Sequence, residues 1–171
     1  MKKFNVKYLT IAGIFAALVC VVTTFIRIPV PMGYINVGNS AIIILCCFIT
    51  MKYGIFAGTI GSGISDLIGY PIWALPTILI KGAMIVTFYG IRKIPLHNQK
   101  VLTIIAGCIS MLIPIFGYYF AGAAMYGGLK ASLAQIPSLI IEYGANSILF
   151  TVAYLGLSKT PLANLMDVEM K

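Results

Sequence analysis

Ionisable side chains are scarce in this sequence of 171 residues: Asp, Glu, Lys and Arg together make up 9%, only four residues are acidic, and the one histidine is His97. A soluble domain carries about a quarter charged residues, so this chain has too few to coat a water-facing surface. High hydrophobicity with little charge also excludes disorder. The four cysteines, Cys20, Cys46, Cys47 and Cys108, all sit inside apolar runs. With a single histidine they form neither a zinc-type cluster nor a disulfide framework, and they read as small hydrophobes. Also missing are a glycine-rich phosphate loop, a Ser/His pair, an H-E-x-x-H motif and an acid cluster suited to metal-assisted chemistry. The expectation is a non-enzyme with no catalytic residue, no metal, no cofactor and no ATPase of its own.

Apolar surface is what the chain has in excess. Hydrophobic residues make up 60% and the mean hydropathy is +1.00, more than one small core can bury, so the surplus faces lipid. A transmembrane helix takes about 20 largely apolar residues, fewer where the bilayer thins. Six runs qualify: Tyr8 to Ile26, Gly38 to Met51, Gly54 to Gly69, Leu75 to Ile91, Val101 to Ala124 and Ile136 to Ser158, the second and third being short. The connections reach only about ten residues, which leaves no room for a soluble domain. The predicted fold is an all-α integral membrane protein, one six-transmembrane-helix bundle over residues 1–171, in the cell (plasma) membrane.

The net charge of +8 would suggest nucleic acid in a soluble protein, but here its distribution explains it. With the N-terminus in the cytoplasm, Lys2, Lys3, Lys7, Lys52, Arg92, Lys93, Lys100, Lys159 and Lys171 fall inside and only Arg27 and Lys130 outside. This positive-inside bias predicts that both termini are cytoplasmic and that no nucleic-acid partner is needed. No small-x-small cleavage site follows the first apolar run before Arg27, so that run reads as a retained helix, not a signal peptide.

Helices in lipid associate through close backbone approach at small residues. Gly54, Gly58, Gly61 and Ser65 recur at helical spacing in the third span and suit internal packing. Ala12 and Ala16 in the first span form an A-x-x-x-A pair that serves either internal packing or an external partner helix.

A charge inside the membrane costs several kcal/mol and by default marks a functional site. Three are present. With about 1.5 Å rise per residue, Asp66 lies roughly 5 Å below the outer end of its span, and Lys81 and Glu142 roughly 9 Å below theirs. Tyr118 falls at a similar depth, Asn146 follows Glu142 one turn deeper, and Asn39 opens the second span. The loop Gly69 to Pro76 adds Tyr70 and Trp73 on the same side, either as a lid or as interfacial belt residues, and Tyr34 and Tyr126 share that ambiguity. Asp66 and Lys81 read equally as a structural ion pair. An outward-facing, aromatic-lidded pocket with one carboxylate in excess suits a small, flat, nitrogen-rich solute offering N–H donors or positive charge. Such a pocket captures its solute and does not convert it.

Three runs carry a resemblance: Asn36-Val37-Gly38-Asn39-Ser40-Ala41, Gly61-Ser62-Gly63-Ile64-Ser65-Asp66-Leu67-Ile68-Gly69-Tyr70-Pro71, and Ile80-Lys81-Gly82. Together they resemble the S component, the membrane-embedded substrate-binding subunit, of energy-coupling factor (ECF) vitamin transporters, nearest the riboflavin, hydroxymethylpyrimidine and pyridoxine subgroup. The resemblance implies a six-helix bundle that binds one vitamin or precursor near its outer face and works with a T subunit and two ATPase subunits, toppling in the bilayer to carry the site inward. Ala12 and Ala16 match the strip with which the family's first helix docks on the T subunit. Many relatives carry Asp where this chain has Asn39. The substrate-binding residues expected are Asn39, Asp66, Tyr70, Trp73, Lys81, Tyr118, Glu142 and Asn146, for hydroxymethylpyrimidine or a vitamin B6 form in preference to riboflavin. The alternative is a self-sufficient small transporter or channel acting as an oligomer, against which stands the lack of an evident inverted repeat.

Overall fold

The computed structural model describes residues 6–30 and 33–166. Lys2, Lys3 and Lys171, placed on the inner side above, lie outside them. The chain runs α1 (Val6–Phe25), a hairpin of β1 (Arg27–Val30) and β2 (Gly33–Asn36), α2 (Gly38–Cys46), α3 (Met51–Gly69), a 3₁₀ turn at Pro71–Trp73 and α4 (Ala74–Arg92). It continues with α5 (Gln99–Ser110), α6 (Ile113–Met125), α7 (Leu129–Ser132), a second 3₁₀ turn at Leu133–Gln135, α8 (Ile136–Leu157) and a last 3₁₀ turn at Pro161–Leu165.

Among the described residues, four segments are long and apolar enough to cross a membrane: Val6–Phe25, Pro71–Arg92, Gln99–Met125 and Leu129–Leu157. The first, fourth and sixth expected spans thus stand nearly as read. The fifth is two stacked helices, because Pro114 at the start of α6 has no N–H to continue the ladder from α5. The second expected span departs most. Its helix, α2, has only nine residues, a rise of about 14 Å against a hydrocarbon core of about 30 Å. The chain turns at residues 47–50, where Tyr89 Oη on α4 donates to the carbonyls of both Cys46 (2.8 Å) and Ile49 (2.6 Å) and satisfies groups that would otherwise be orphaned in lipid. α3 has the length of a span, but its glycines, serines and Asp66 dilute its apolar content.

α1 packs along α3, and α3 along α4. A Cβ at Gly61 would run into the Ala16 carbonyl and Val19, so glycine there is what lets the two backbones meet. Ala12 and Ala16 are consequently buried in a cluster with Ile49, Tyr53 and Ala57. On the other face of α1, Gly13 and Ala17 are exposed. The main core fills the end of the bundle away from the hairpin, with Ile42, Ile43, Cys46, Met84, Phe88, Tyr89, Phe150 and Tyr154. Cys46 and Cys47 are buried and Cys20 and Cys108 half-buried, none of the four in a disulfide.

Candidate functional site

At the opposite end the helices diverge. Between the hairpin, α3, α4, α6 and α8 lies a cavity with about 470 Å³ of atom-free space, part of it continuous with the exterior. Asp66 of α3 and Glu142 of α8 are both in its wall, with Trp73, Thr77 and Tyr118 from the α4 and α6 side. The hairpin closes one flank with Val30, Tyr34 and Asn36, and the α8 start closes another with Gln135, Ser138 and Leu139. A smaller cavity behind Glu142 is lined by Asn39, Met111, Pro114, Ile115 and Tyr143.

Each carboxylate has one partner of its own. Tyr34 Oη donates to Asp66 Oδ1, while its ring stacks on Tyr70 (centroids 5.1 Å) and lies under the Arg27 guanidinium at 4.4 Å. Burial, with the Asp66 carboxylate adding to it, pushes the Tyr34 phenol above its ordinary value, so the hydroxyl remains a donor at neutral pH. Arg27 is itself tied down, donating to the carbonyls of Thr23 (2.8 Å) and Ser65 (2.7 Å). Glu142 Oε1 accepts from Asn39 Nδ2 at 3.3 Å, and Lys81 Nζ donates to Asn39 Oδ1 while standing 5.2 Å from the Tyr118 ring centroid. Tyr118 Oη and Thr77 Oγ1 share a hydrogen bond of 3.1 Å, and Trp73 meets the Tyr118 ring edge-on at 5.6 Å.

Among the residues singled out from sequence, Asp66, Trp73, Tyr118 and Glu142 share the cavity wall. Tyr70 backs Tyr34 from outside it. Lys81 and Asn39 stand behind Glu142, and the hydrogen bond of Lys81 goes to Asn39 while Asp66 takes Tyr34. Asn146 spends its amide on backbone: its Oδ1 accepts from Ser40 N (2.8 Å) and its Nδ2 donates to the carbonyls of Asn36 (2.7 Å) and Glu142 (2.9 Å). That bracket sets the start of α2 against α8 and brings Asn39 to Glu142.

Asn36, Thr77, Gln135 and Ser138 were not anticipated as cavity residues. Gln135 had a legible signal, a large amide immediately before the apolar run of α8. It is buried, and its Nε2 donates to Ser132 Oγ at 2.9 Å, which in turn donates to the Tyr119 carbonyl at 2.7 Å.

Residues 3–159 match the family model described as ECF-type riboflavin transporter, S component. The chain belongs to that family. This S component is also similar in fold to a solved structure described as the S component of a bacterial ECF transporter, with a TM-score of 0.68 and 20% identity over 90% of this chain and 96% of that one. A second relative, an uncharacterized protein of Pyrococcus woesei, is 35% identical over 113 residues, covering 64% of this chain and 74% of that protein. The S component is thus a membrane-embedded, multi-pass, substrate-binding transport subunit and not an enzyme. Proteins of its kind work with T and ATPase subunits.

Proposed function

We propose that this S component captures a small nitrogen heterocycle, hydroxymethylpyrimidine or a vitamin B6 form, in the cavity between the hairpin and α8. It takes the ligand on the outer side and delivers it inward with a T subunit and two ATPases. One observation carries the choice of ligand: the cavity wall holds two carboxylates, Asp66 and Glu142, and no cationic side chain among the described residues. An ionised carboxylate only accepts hydrogen bonds, so a ligand edge rich in N–H or O–H donors, or a protonated ring, gains charge-assisted bonds there. The rings of Trp73, Tyr118 and Tyr34 supply apolar contact for a flat heterocycle.

Riboflavin, which the family description names, fits this chemistry less well. Its pyrimidinedione edge presents a single N–H between two carbonyls, and those carbonyls would face carboxylates. Titration calorimetry of the purified protein with hydroxymethylpyrimidine, pyridoxine and riboflavin tests the reading, and the expected order of affinity places riboflavin last. Tightest binding of riboflavin would overturn the choice of ligand, and mass spectrometry of the molecule that co-purifies in mild detergent would decide between the others.

The T-subunit contact follows the faces of α1. Ala12 and Ala16 lie against α3, so a T subunit reaching them would have to pry α1 away from α3. The neighbouring pair Gly13 and Ala17 leaves an open small-residue groove on the other face. Gly13→Leu is expected to leave ligand affinity intact and abolish uptake in cells that carry the ATPases and T subunit, whereas normal uptake by that variant would return the contact to the alanine pair.

A further inference from the structure

Lys81 and Asn39 are almost fully buried, yet neither belongs to the main cavity wall. Lys81 Nζ lies against the Asn39 amide. An ammonium group carries donors only, so it meets the amide through Oδ1. That choice orients the rest of the side chain: Nδ2 points the other way and donates to Glu142 Oε1. The reverse amide orientation would set NH₂ against the ammonium and carbonyl oxygen against the carboxylate. The orientation is therefore fixed by charge, and the Asn146 bracket on Ser40 and Asn36 fixes the position. Glu142 Oε2 has no hydrogen-bond partner among the described residues, and Glu142 borders the cavity. The other charged and titratable groups around it are Asp66 of α3 and Tyr118 of α6.

We infer that Asn39 and Lys81 are positioning residues acting through Glu142: they hold one carboxylate oxygen and offset its charge, leaving the second oxygen aimed at the cavity to receive an N–H edge of the ligand. The inference rests on the proposed capture of ligand by Glu142. It gives asparagine at position 39 a specific task. Aspartate there would pair with Lys81 but turn an acceptor toward Glu142, and two ionised carboxylates offer each other no donor.

The test is a double-mutant cycle read by calorimetry with hydroxymethylpyrimidine and pyridoxine as probes, each variant being checked for cooperative thermal unfolding. Asn39→Leu and Lys81→Met are each expected to weaken the better probe about tenfold or more in the wild-type background and less than about twofold in an E142Q background, because the interactions are coupled through one carboxylate. Lys81→Arg is expected to recover most of the loss. Equal losses in both backgrounds would mean a purely structural role and would overturn the inference. Should the apolar variants fail to fold, the near-isosteric Asn39→Asp serves instead, with a loss of about tenfold expected for a misdirected charge; unchanged affinity in that variant counts against the relay. Failure of the underlying reading has a different signature: the wild type ignores both probes, or E142Q binds as tightly as the wild type, and either result removes the relay as well.

Discussion

The two ends of this bundle are built from opposite materials. At the end away from the hairpin, Phe88, Met84, Ile85 and Phe150 are fully buried among apolar neighbours; Tyr89 closes the turn over Cys46 and Ile49 there, and the one charge buried in that region among the described residues, Arg92, lies over the Phe88 ring at 5.2 Å. At the hairpin end, Asp66, Lys81, Glu142, Asn39 and Asn146 are just as deeply buried, although a charge at such depth is costly. Stability alone would not put them there, since apolar residues of similar volume fill such space as well or better. On the proposed reading the closed end accounts for folding and the polar end for selection of a guest.

If that division holds, the largest effect on stability belongs to the closed end. Phe150→Ala is expected to destabilise the protein by about 3–5 kcal/mol, the usual range for a buried Phe truncation. Its ring lies so close over Gly107 that a Cβ there would collide with it. Ligand affinity of the surviving folded fraction should not change, and a parallel fall in affinity, measured by calorimetry beside thermal unfolding, would break the comparison.

Glu142→Gln is expected to do the reverse. Losing a charged hydrogen-bond acceptor removes about 1.5–3 kcal/mol of binding, or about ten- to a hundredfold in Kd, with little change in the unfolding temperature. A destabilised E142Q with normal affinity would place Glu142 on the structural side.

Tyr34→Phe tests the hairpin more gently. It keeps the stack on Tyr70 and the place under Arg27 but deletes the donor to Asp66. About 1 kcal/mol, near fivefold in affinity, is the expected scale for one such bond. Direction carries the information: weaker binding means that the hydroxyl shapes Asp66 for the ligand, tighter binding that it competes with the ligand. Because burial holds the Tyr34 phenol in its neutral form, wild-type affinity should show no step from Tyr34 ionisation as pH rises through about 10, where an ordinary tyrosine titrates, and a step that Tyr34→Phe abolishes would contradict the buried donor. The smallest change is expected for Ser138→Ala, whose hydroxyl already donates to the Gln135 carbonyl at 2.7 Å; less than about twofold in affinity fits a group occupied within its own turn.

The polar end was legible in sequence to the extent that its cost is local. Asp66, Lys81 and Glu142 stand out because each interrupts an apolar run, and helical rise alone puts them at one depth. Pairing was not legible, since it depends on contacts between distant parts of the chain. Tyr34 and Asp66 are 32 residues apart and Asn39 and Glu142 are 103 apart, and no periodicity reports such a choice. For the same reason the ion pair considered between Asp66 and Lys81 gave way to two separate arrangements, one under the hairpin and one through Asn39. The hairpin itself lay hidden behind Pro29, Pro31 and Gly33, which read as a plain loop, and its strands have only four residues each. The second span misled because Ile42 to Cys47 is apolar enough for a membrane helix, whereas the turn that ends it is set by a hydroxyl on another element.

The pair of hydrogen bonds from the Tyr89 hydroxyl bears on traffic. It ties the α2–α3 turn into the buried cluster that holds Phe88, Phe150 and Tyr154, none of which lines the cavity. On the proposed reading a solute leaves by the opening at the hairpin end through which it entered, so its crossing of the bilayer would need the subunit itself to reorient, with the work done by the partners proposed above.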